Sequence, residues 1–218
     1  MIYTSVVPAM IPKSQAEVLD LAARLSFALE LQLDLVDGKF SPTVCWPYEP
    51  AGDPMAVKHA LDAFTLEVDL MVENPVQAAI QWEKAGADML VFHIETLSLD
   101  ALIAFSEGTK ASVGVSAHGN TSMETLAQYA MHADYIQLMG IAEIGAQGNP
   151  FDETVLEKIA MLRKRFPLMS IGVDGSVNKE TIARIRNAGA DRFVCGSAIV
   201  GQADPKAAHA ELVALIND

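Results

Sequence analysis

Two aspartates stand where a carboxylate is expensive. Asp34 lies in Leu31-Gln32-Leu33-Asp34-Leu35, and Asp174 ends the run Met169-Ser170-Ile171-Gly172-Val173-Asp174. Among such neighbours an acid is costly unless it is paired, hydrogen-bonded or bound to a metal. Held on opposite sides of a substrate carbon, the pair could remove a proton from one face and return one to the other, so Asp34 and Asp174 are the candidate acid and base. The structural alternative is that either accepts backbone N–H bonds or caps a helix. Gln32 points to the same side of its strand as Asp34, and Asp69, in Leu66-Glu67-Val68-Asp69-Leu70-Met71, shares a side with Glu67. If Gln32, Asp34, Asp69 and Asp174 converge, three carboxylates in one pocket repel and raise one another's pKa. A divalent cation would relieve this, and all-oxygen ligation favours Mg²⁺ or Mn²⁺ over Zn²⁺. A metal-free site in which one carboxyl stays protonated is the open alternative.

These residues need elements to carry them. The phrase Ala85-Gly86-Ala87-Asp88 returns as Ala188-Gly189-Ala190-Asp191, with a looser copy at His132-Ala133-Asp134, each closing a helical stretch before an apolar run. Such phrases end a helix on a glycine and turn the chain into a buried parallel strand. Apolar runs predict strands near 2–7, 31–35, 65–71, 88–94, 112–117, 134–139, 169–174 and 191–195. Helices are expected near 14–29, 54–62, 75–86, 98–107, 122–131, 152–166, 178–188 and 203–217, with Pro75 at a first helical position and Ser122, Asp152 and Asn178 as caps. Eight consecutive βα units predict an α/β fold, a (β/α)8 TIM barrel, as one domain over residues 1–218. Chemistry then belongs at the carboxyl ends of the strands, where the pattern places Ser5, Gln32, Asp34, Asp69, His93, Glu95, Ser116, His118, Gln137 and Asp174. Strands 2 and 7 face each other across such a mouth. Asp37, before Gly38, reads as a turn residue.

The chain has 218 residues, 51% hydrophobic and 20% charged, with mean hydropathy +0.24, which gives ample material for a core. Its net charge of −13 argues against nucleic acid as a partner. No apolar run approaches the roughly 18 residues of a membrane span, and no basic segment precedes an apolar one at the N-terminus, so the expectation is a cytoplasmic protein without a membrane partner. Cys45 and Cys195 read as buried thiols. An anionic substrate would have to be held by backbone N–H groups, helix N-termini or a metal ion. Three glycine loops could do so: Gly145-Ala146-Gln147-Gly148 after strand 6, Gly175-Ser176 after strand 7 and Gly196-Ser197 after strand 8. Phosphate sites recur after strands 7 and 8 of such barrels.

The sequence resembles the ribulose-phosphate 3-epimerase family over nearly its whole length. The landmarks are Ser5-Val6-Val7, Asp34-Leu35-Val36-Asp37-Gly38-Lys39-Phe40, Asp69-Leu70-Met71-Val72-Glu73-Asn74-Pro75, Phe92-His93-Ile94-Glu95, Gly145-Ala146-Gln147-Gly148-Asn149-Pro150-Phe151, Val173-Asp174-Gly175-Ser176 and Gly196-Ser197-Ala198-Ile199. The resemblance implies a (β/α)8 barrel acting on a phosphorylated ketose, often as a homo-oligomer. It also implies a divalent metal held by a His-x-Asp pair, a further His and an Asp, the two Asp inverting C3 through an enediolate. Those Asp positions match Asp34 and Asp174, whereas Gln32 and Asp69 occupy the two His positions. An amide oxygen and a carboxylate make the site harder and more anionic, lowering its affinity for Zn²⁺. Residues expected at the substrate are Ser5, Met71, Met139, Gly145, Ala146, Gln147, Gly148, Gly175, Ser176, Gly196 and Ser197. Val36 stands where relatives have a methionine, and the loop after strand 6 matches the family pattern only in part. His93 is expected to support or pack, and His118 sits near the mouth. The reaction expected is C3 epimerisation of D-ribulose 5-phosphate to D-xylulose 5-phosphate or a close analogue. The alternatives are another isomerase or a lyase on the same barrel, or a non-catalytic sugar-phosphate binder. No lysine lies at the inner strand positions, which disfavours a Schiff-base aldolase.

Overall fold

Eight parallel strands close on themselves in chain order. The structure is a computed structural model that describes residues 4–142, 144–145 and 148–217. The strands are β1 (Ser5–Met10), β2 (Glu30–Val36), β3 (Thr65–Met71), β4 (Met89–His93), β5 (Ser112–Ala117), β6 (Tyr135–Met139), β7 (Ser170–Asp174) and β8 (Arg192–Cys195). The helices outside them are α1 (Gln15–Arg24), α2 (Lys58–Leu61, entered through a 3-10 turn at Pro54–Val57), α3 (Pro75–Lys84), α4 (Leu99–Ser106), α5 (Met123–Ala130), α6 (Thr154–Arg165), α7 (Ile182–Ala188) and α8 (Pro205–Asn217). This is a (β/α)8 TIM barrel. None of the helices among the described residues is long and apolar enough to cross a membrane.

The repeated phrase explains how the units join. Gly86 and Gly189 take left-handed backbone at φ 106° and 116°, which lets the chain leave α3 and α7 sharply. The aspartate that follows ties two strands together at the amino end of the barrel. Asp88 Oδ2 accepts the Leu66 N–H at 2.9 Å, Asp134 Oδ2 accepts that of Val113 at 2.8 Å, and Asp191 accepts that of Ile171. One short phrase thus ends a helix and fixes the register of β4, β6 and β8 against β3, β5 and β7 respectively.

Side chains alternate in and out along each strand. The outward leucines, valines and isoleucines meet the helices in one large core that includes Leu31, Leu33, Leu35, Leu66, Leu70 and Phe92. The inward faces are unusually polar: Gln32, Glu67, Asp69, His93, Ser116, Gln137 and Arg192 are all buried. At the amino end Arg192 reaches Glu67 at 2.5 Å and Glu30 at 2.9 Å, with its guanidinium 6.0 Å from the Tyr135 ring. Gly114 makes room for that ring, since a Cβ there would collide with it.

Two expectations are corrected. The first strand lies at Ser5–Met10 rather than near 2–7, in register with Arg192 through Cys195. Helix α7 begins at Ile182, so Asn178 is no cap; it accepts the Glu180 N–H from outside the helix at 2.9 Å. Asp152 likewise precedes α6 by two residues and accepts the Thr154 N–H at 3.0 Å, whereas Ser122 caps α5 and Pro75 opens α3 as expected.

Candidate active site

At the carboxyl end the strands open into a cavity of about 380 Å³. Its floor carries Asp34 from β2 and Asp174 from β7, and its walls include Met71, Met139, Ile11, Ile141 and Val194. Gln32 sits below. Its Nε2 donates to Asp34 Oδ1 at 2.8 Å and to Asp174 Oδ2 at 3.0 Å, so one amide spans both carboxylates. Asp69 lies in register with Asp34 on the neighbouring strand, and its oxygens meet His93 Nε2 and Gln137 Nε2, each at 2.9 Å. Ligand atoms of Asp34, Asp69 and Asp174 lie within 4.8 Å of one another. The four residues expected to converge do converge.

Burial and mutual repulsion shift the acids upward. The Asp174 carboxyl is pushed up to about 7, first by burial and then by the charge of Asp69, with the Gln32 amide opposing. Asp34 is raised well above the usual carboxylate range, by burial, then Asp174, then Asp69. No Lys or Arg among the described residues lines the cavity. Gln32 Oε1 is buried without a hydrogen-bond partner among the described residues. Three close carboxylates are a donor set for a hard cation, and Asp34, Asp69 and Asp174 are the residues that would hold one, with Gln32 joining them only once its amide turns to bring Oε1 rather than Nε2 to the centre.

The glycine loops line one side of the cavity. Gly145, Gly148, Gly175, Ser176, Gly196 and Ser197 are all on its wall, while Ala146 and Gln147 lie outside the described residues. Gly175 and Ser176 both have positive φ, 99° and 53°, and Ser176 donates its hydroxyl to the Asn149 carbonyl. A serine in left-handed backbone is uncommon. Here two successive residues in left-handed backbone turn the chain where it leaves β7 at the cavity wall. Among the described residues, the backbone N–H groups of Ser176, Val177, Ser197 and Ala198 meet no protein acceptor. Across the mouth, Ser41 donates to the Ile144 carbonyl at 2.9 Å and leaves no room for a side chain at Gly145.

Ser5 is not at this site. It begins β1 beside Arg192, at the opposite end of the barrel, because the strand starts three residues later than the pattern suggested. His118 stays on the rim, its ring 5.1 Å from Phe40, and Asp37 is the turn residue expected, accepting the N–H groups of Lys39 and Glu73 at 2.9 Å. Sequence reasoning missed Asn178 and Gln202, which line the cavity from beyond the strands, and the reach of Gln137 to Asp69. Gln137 itself was among the inward polar residues the pattern placed at the strand ends; its partner was not readable.

Fold and site together define a class: a (β/α)8 barrel with a three-carboxylate centre at its mouth. Residues 1–200 match the model of the ribulose-phosphate 3 epimerase family. The ribulose-phosphate 3-epimerase of Mycobacterium leprae is 32% identical over 216 residues, covering 95% of this chain and 92% of the relative. That of Bacillus subtilis is 31% identical over 192 residues, covering 84% of each chain. The chain therefore belongs to the ribulose-phosphate 3-epimerase family and is an isomerase of that family. Among solved structures, a 3-hexulose-6-phosphate synthase superposes with a TM-score of 0.71 at 24% identity, covering 97% of this chain and 99% of the other, a likeness of fold alone.

Proposed function

We propose that this protein inverts C3 of a ketose phosphate, interconverting D-ribulose 5-phosphate and D-xylulose 5-phosphate or a close analogue, in the cytoplasm. The observation that carries the reading is the pair Asp34 and Asp174, brought from strands across the barrel mouth to one Gln32 amide on the cavity floor. One carboxylate, ionised, takes the C3 proton, and the C–H electron pair moves toward C2 to form an enediolate. The other, protonated, returns a proton to the opposite face of C3, and the new C–H bond completes the inversion. Two acids whose environment keeps one proton between them suit this exchange, because burial and repulsion oppose ionising both. A divalent cation on Asp34, Asp69, Asp174 and Gln32 would supply charge neutralisation for the developing oxyanion, Mg²⁺ or Mn²⁺ fitting the oxygen donors better than Zn²⁺.

The rest of the site binds and orients. Met71 and Met139 supply apolar, adaptable walls beside the reacting carbon. The Gly175-Ser176 and Gly196-Ser197 loops, with Gly145 and Gly148, receive the phosphate through backbone N–H groups, which a chain of net charge −13 needs in place of a basic patch. The test is proton exchange at C3 of D-ribulose 5-phosphate in D₂O, followed by NMR on chelator-stripped protein with and without Mg²⁺, Mn²⁺ or Zn²⁺. Exchange with formation of D-xylulose 5-phosphate is expected, and it should vanish in Asp34→Asn and Asp174→Asn. No exchange under any of these conditions would sink epimerisation of this substrate.

A further inference from the structure

Asp69 differs from the other two carboxylates in how it is held. Each of its oxygens carries a side-chain donor from a different strand: His93 of β4 on Oδ1 and Gln137 of β6 on Oδ2, both at 2.9 Å. Asp34 and Asp174 share a single side-chain donor, Gln32, among the described residues. Asp69, His93 and Gln137 are completely buried. The far atoms of both donors, His93 Nδ1 and Gln137 Oε1, have no partner among the described residues. An unsatisfied buried polar atom is costly, so apolar residues would fill these two positions at less cost if filling were the whole role. The imidazole is further fixed by the Phe40 ring, 5.1 Å away in the loop after β2.

Two donors occupy one lone pair on each Asp69 oxygen and leave the others for a cation. Resting on the cation-assisted reading of the centre, we propose that His93 and Gln137 are positioning residues that fix Asp69 as the anchoring carboxylate of the cation centre. Asp34 and Asp174, with one side-chain donor between them, keep the freedom that proton exchange requires. Asp69 thus does structural work for the cation, and the chemistry stays with the other two acids.

The experiment is Mn²⁺ binding to the chelator-stripped full chain, read by the EPR signal of free Mn²⁺, alongside the melting temperature without metal. Loss of such outer partners weakens metal binding about 10–100-fold, and that loss is expected for Gln137→Met and for His93→Leu. His93→Gln, which keeps a donor at similar reach, is expected to recover most of the affinity. A purely structural role would lower the melting temperature of all three variants and leave Mn²⁺ affinity alone. If His93→Leu does not fold, Gln137→Met decides, because it acts on the other oxygen from another strand. A folded Gln137→Met that binds Mn²⁺ as tightly as the unaltered chain overturns the proposal. If the unaltered chain binds neither Mn²⁺ nor Mg²⁺, the cation reading itself falls, and C3 exchange in the presence of chelator shows whether epimerisation survives without it.

Discussion

The two ends of the barrel interior solve the same problem in opposite ways. Both bury acids within a closed ring of strands. At the amino end Glu30 and Glu67 are met by Arg192, whose guanidinium stays charged because those carboxylates, with Tyr135, outweigh the cost of its burial. At the mouth Asp34, Asp69 and Asp174 crowd together with amides and an imidazole for company, and no guanidinium or ammonium group among the described residues lines the cavity. The lower acids share a guanidinium within the fold, so most of their charge is met there. The upper acids are left to be neutralised by protons or a cation, and that unmet demand makes the mouth reactive.

The largest effect should come from the mouth. Asp34→Asn and Asp174→Asn each remove one member of the proton-exchanging pair, and a positioned acid or base is worth about 10²–10⁴-fold in rate. A loss of kcat of that order is expected, measured by coupled assay or by NMR. Because each change also removes a buried charge from a repelling cluster, the metal-free melting temperature should hold or rise. A variant that loses both activity and stability would break the contrast, since it would make the mouth acids structural like those below.

The amino end should behave in reverse. Arg192→Met leaves the buried Glu67 and the half-buried Glu30 without a counter-charge, and breaking a buried ion pair from one side costs about 3–5 kcal/mol. At roughly 2–4 °C per kcal/mol for a chain of this size, the melting temperature should fall by on the order of 10 °C. Thermal denaturation followed by circular dichroism checks this, and an unchanged melting temperature would show that the pair is not supporting the barrel.

The pH dependence of stability follows from the raised acids. Asp34 and Asp174 hold protons more tightly folded than unfolded, Asp174 with its pKa at about 7 against an ordinary 3.8. Their contribution to stability is therefore fully present below about pH 4 and is lost as pH rises through 7. Metal-stripped protein should melt several degrees higher at pH 5 than at pH 8. Added Mn²⁺ should stabilise it most at pH 8, where the ligands are ionised. The Asp34→Asn, Asp174→Asn double variant should flatten the slope, and a slope that survives it would assign the titration elsewhere.

Much of this was legible in the residues, for identifiable reasons. Glycine closures and apolar runs mark βα units wherever strands are buried on both faces, so seven strands fall within a residue or two of expectation. The first strand slipped because Pro8 interrupts the run Ser5–Met10 and a proline reads as a strand end. That slip alone sent Ser5 to the wrong end of the barrel. Gln32, Asp34, Asp69 and Asp174 were found because polar residues at inward strand positions have few explanations. Asn178 and Gln202 were not, because loop residues follow no period and their approach to the cavity depends on tertiary turns such as the left-handed Gly175-Ser176 pair. The reach of Gln137 to Asp69 depends on barrel closure, which alternation along one strand does not encode.

The smallest effect is the sharpest probe of whether the two ends are separable. Glu67 lies in register with Gln32 on the adjacent strand, and its charge adds to the upward push on Asp34 and Asp174, behind burial and behind Asp69. Glu67→Gln removes that charge while Arg192 keeps Glu30 at 2.9 Å. Both acids should then ionise at slightly lower pH, moving the acid limb of the kcat/KM profile down by a fraction of a unit. The rate at the optimum should hold, because Glu67 touches neither substrate nor the reacting pair. A full pH profile of the variant reads both quantities at once. An acid limb that moves upward would contradict the electrostatics, and a large drop in kcat at the optimum would mean that the lower network positions the upper one rather than lying beneath it.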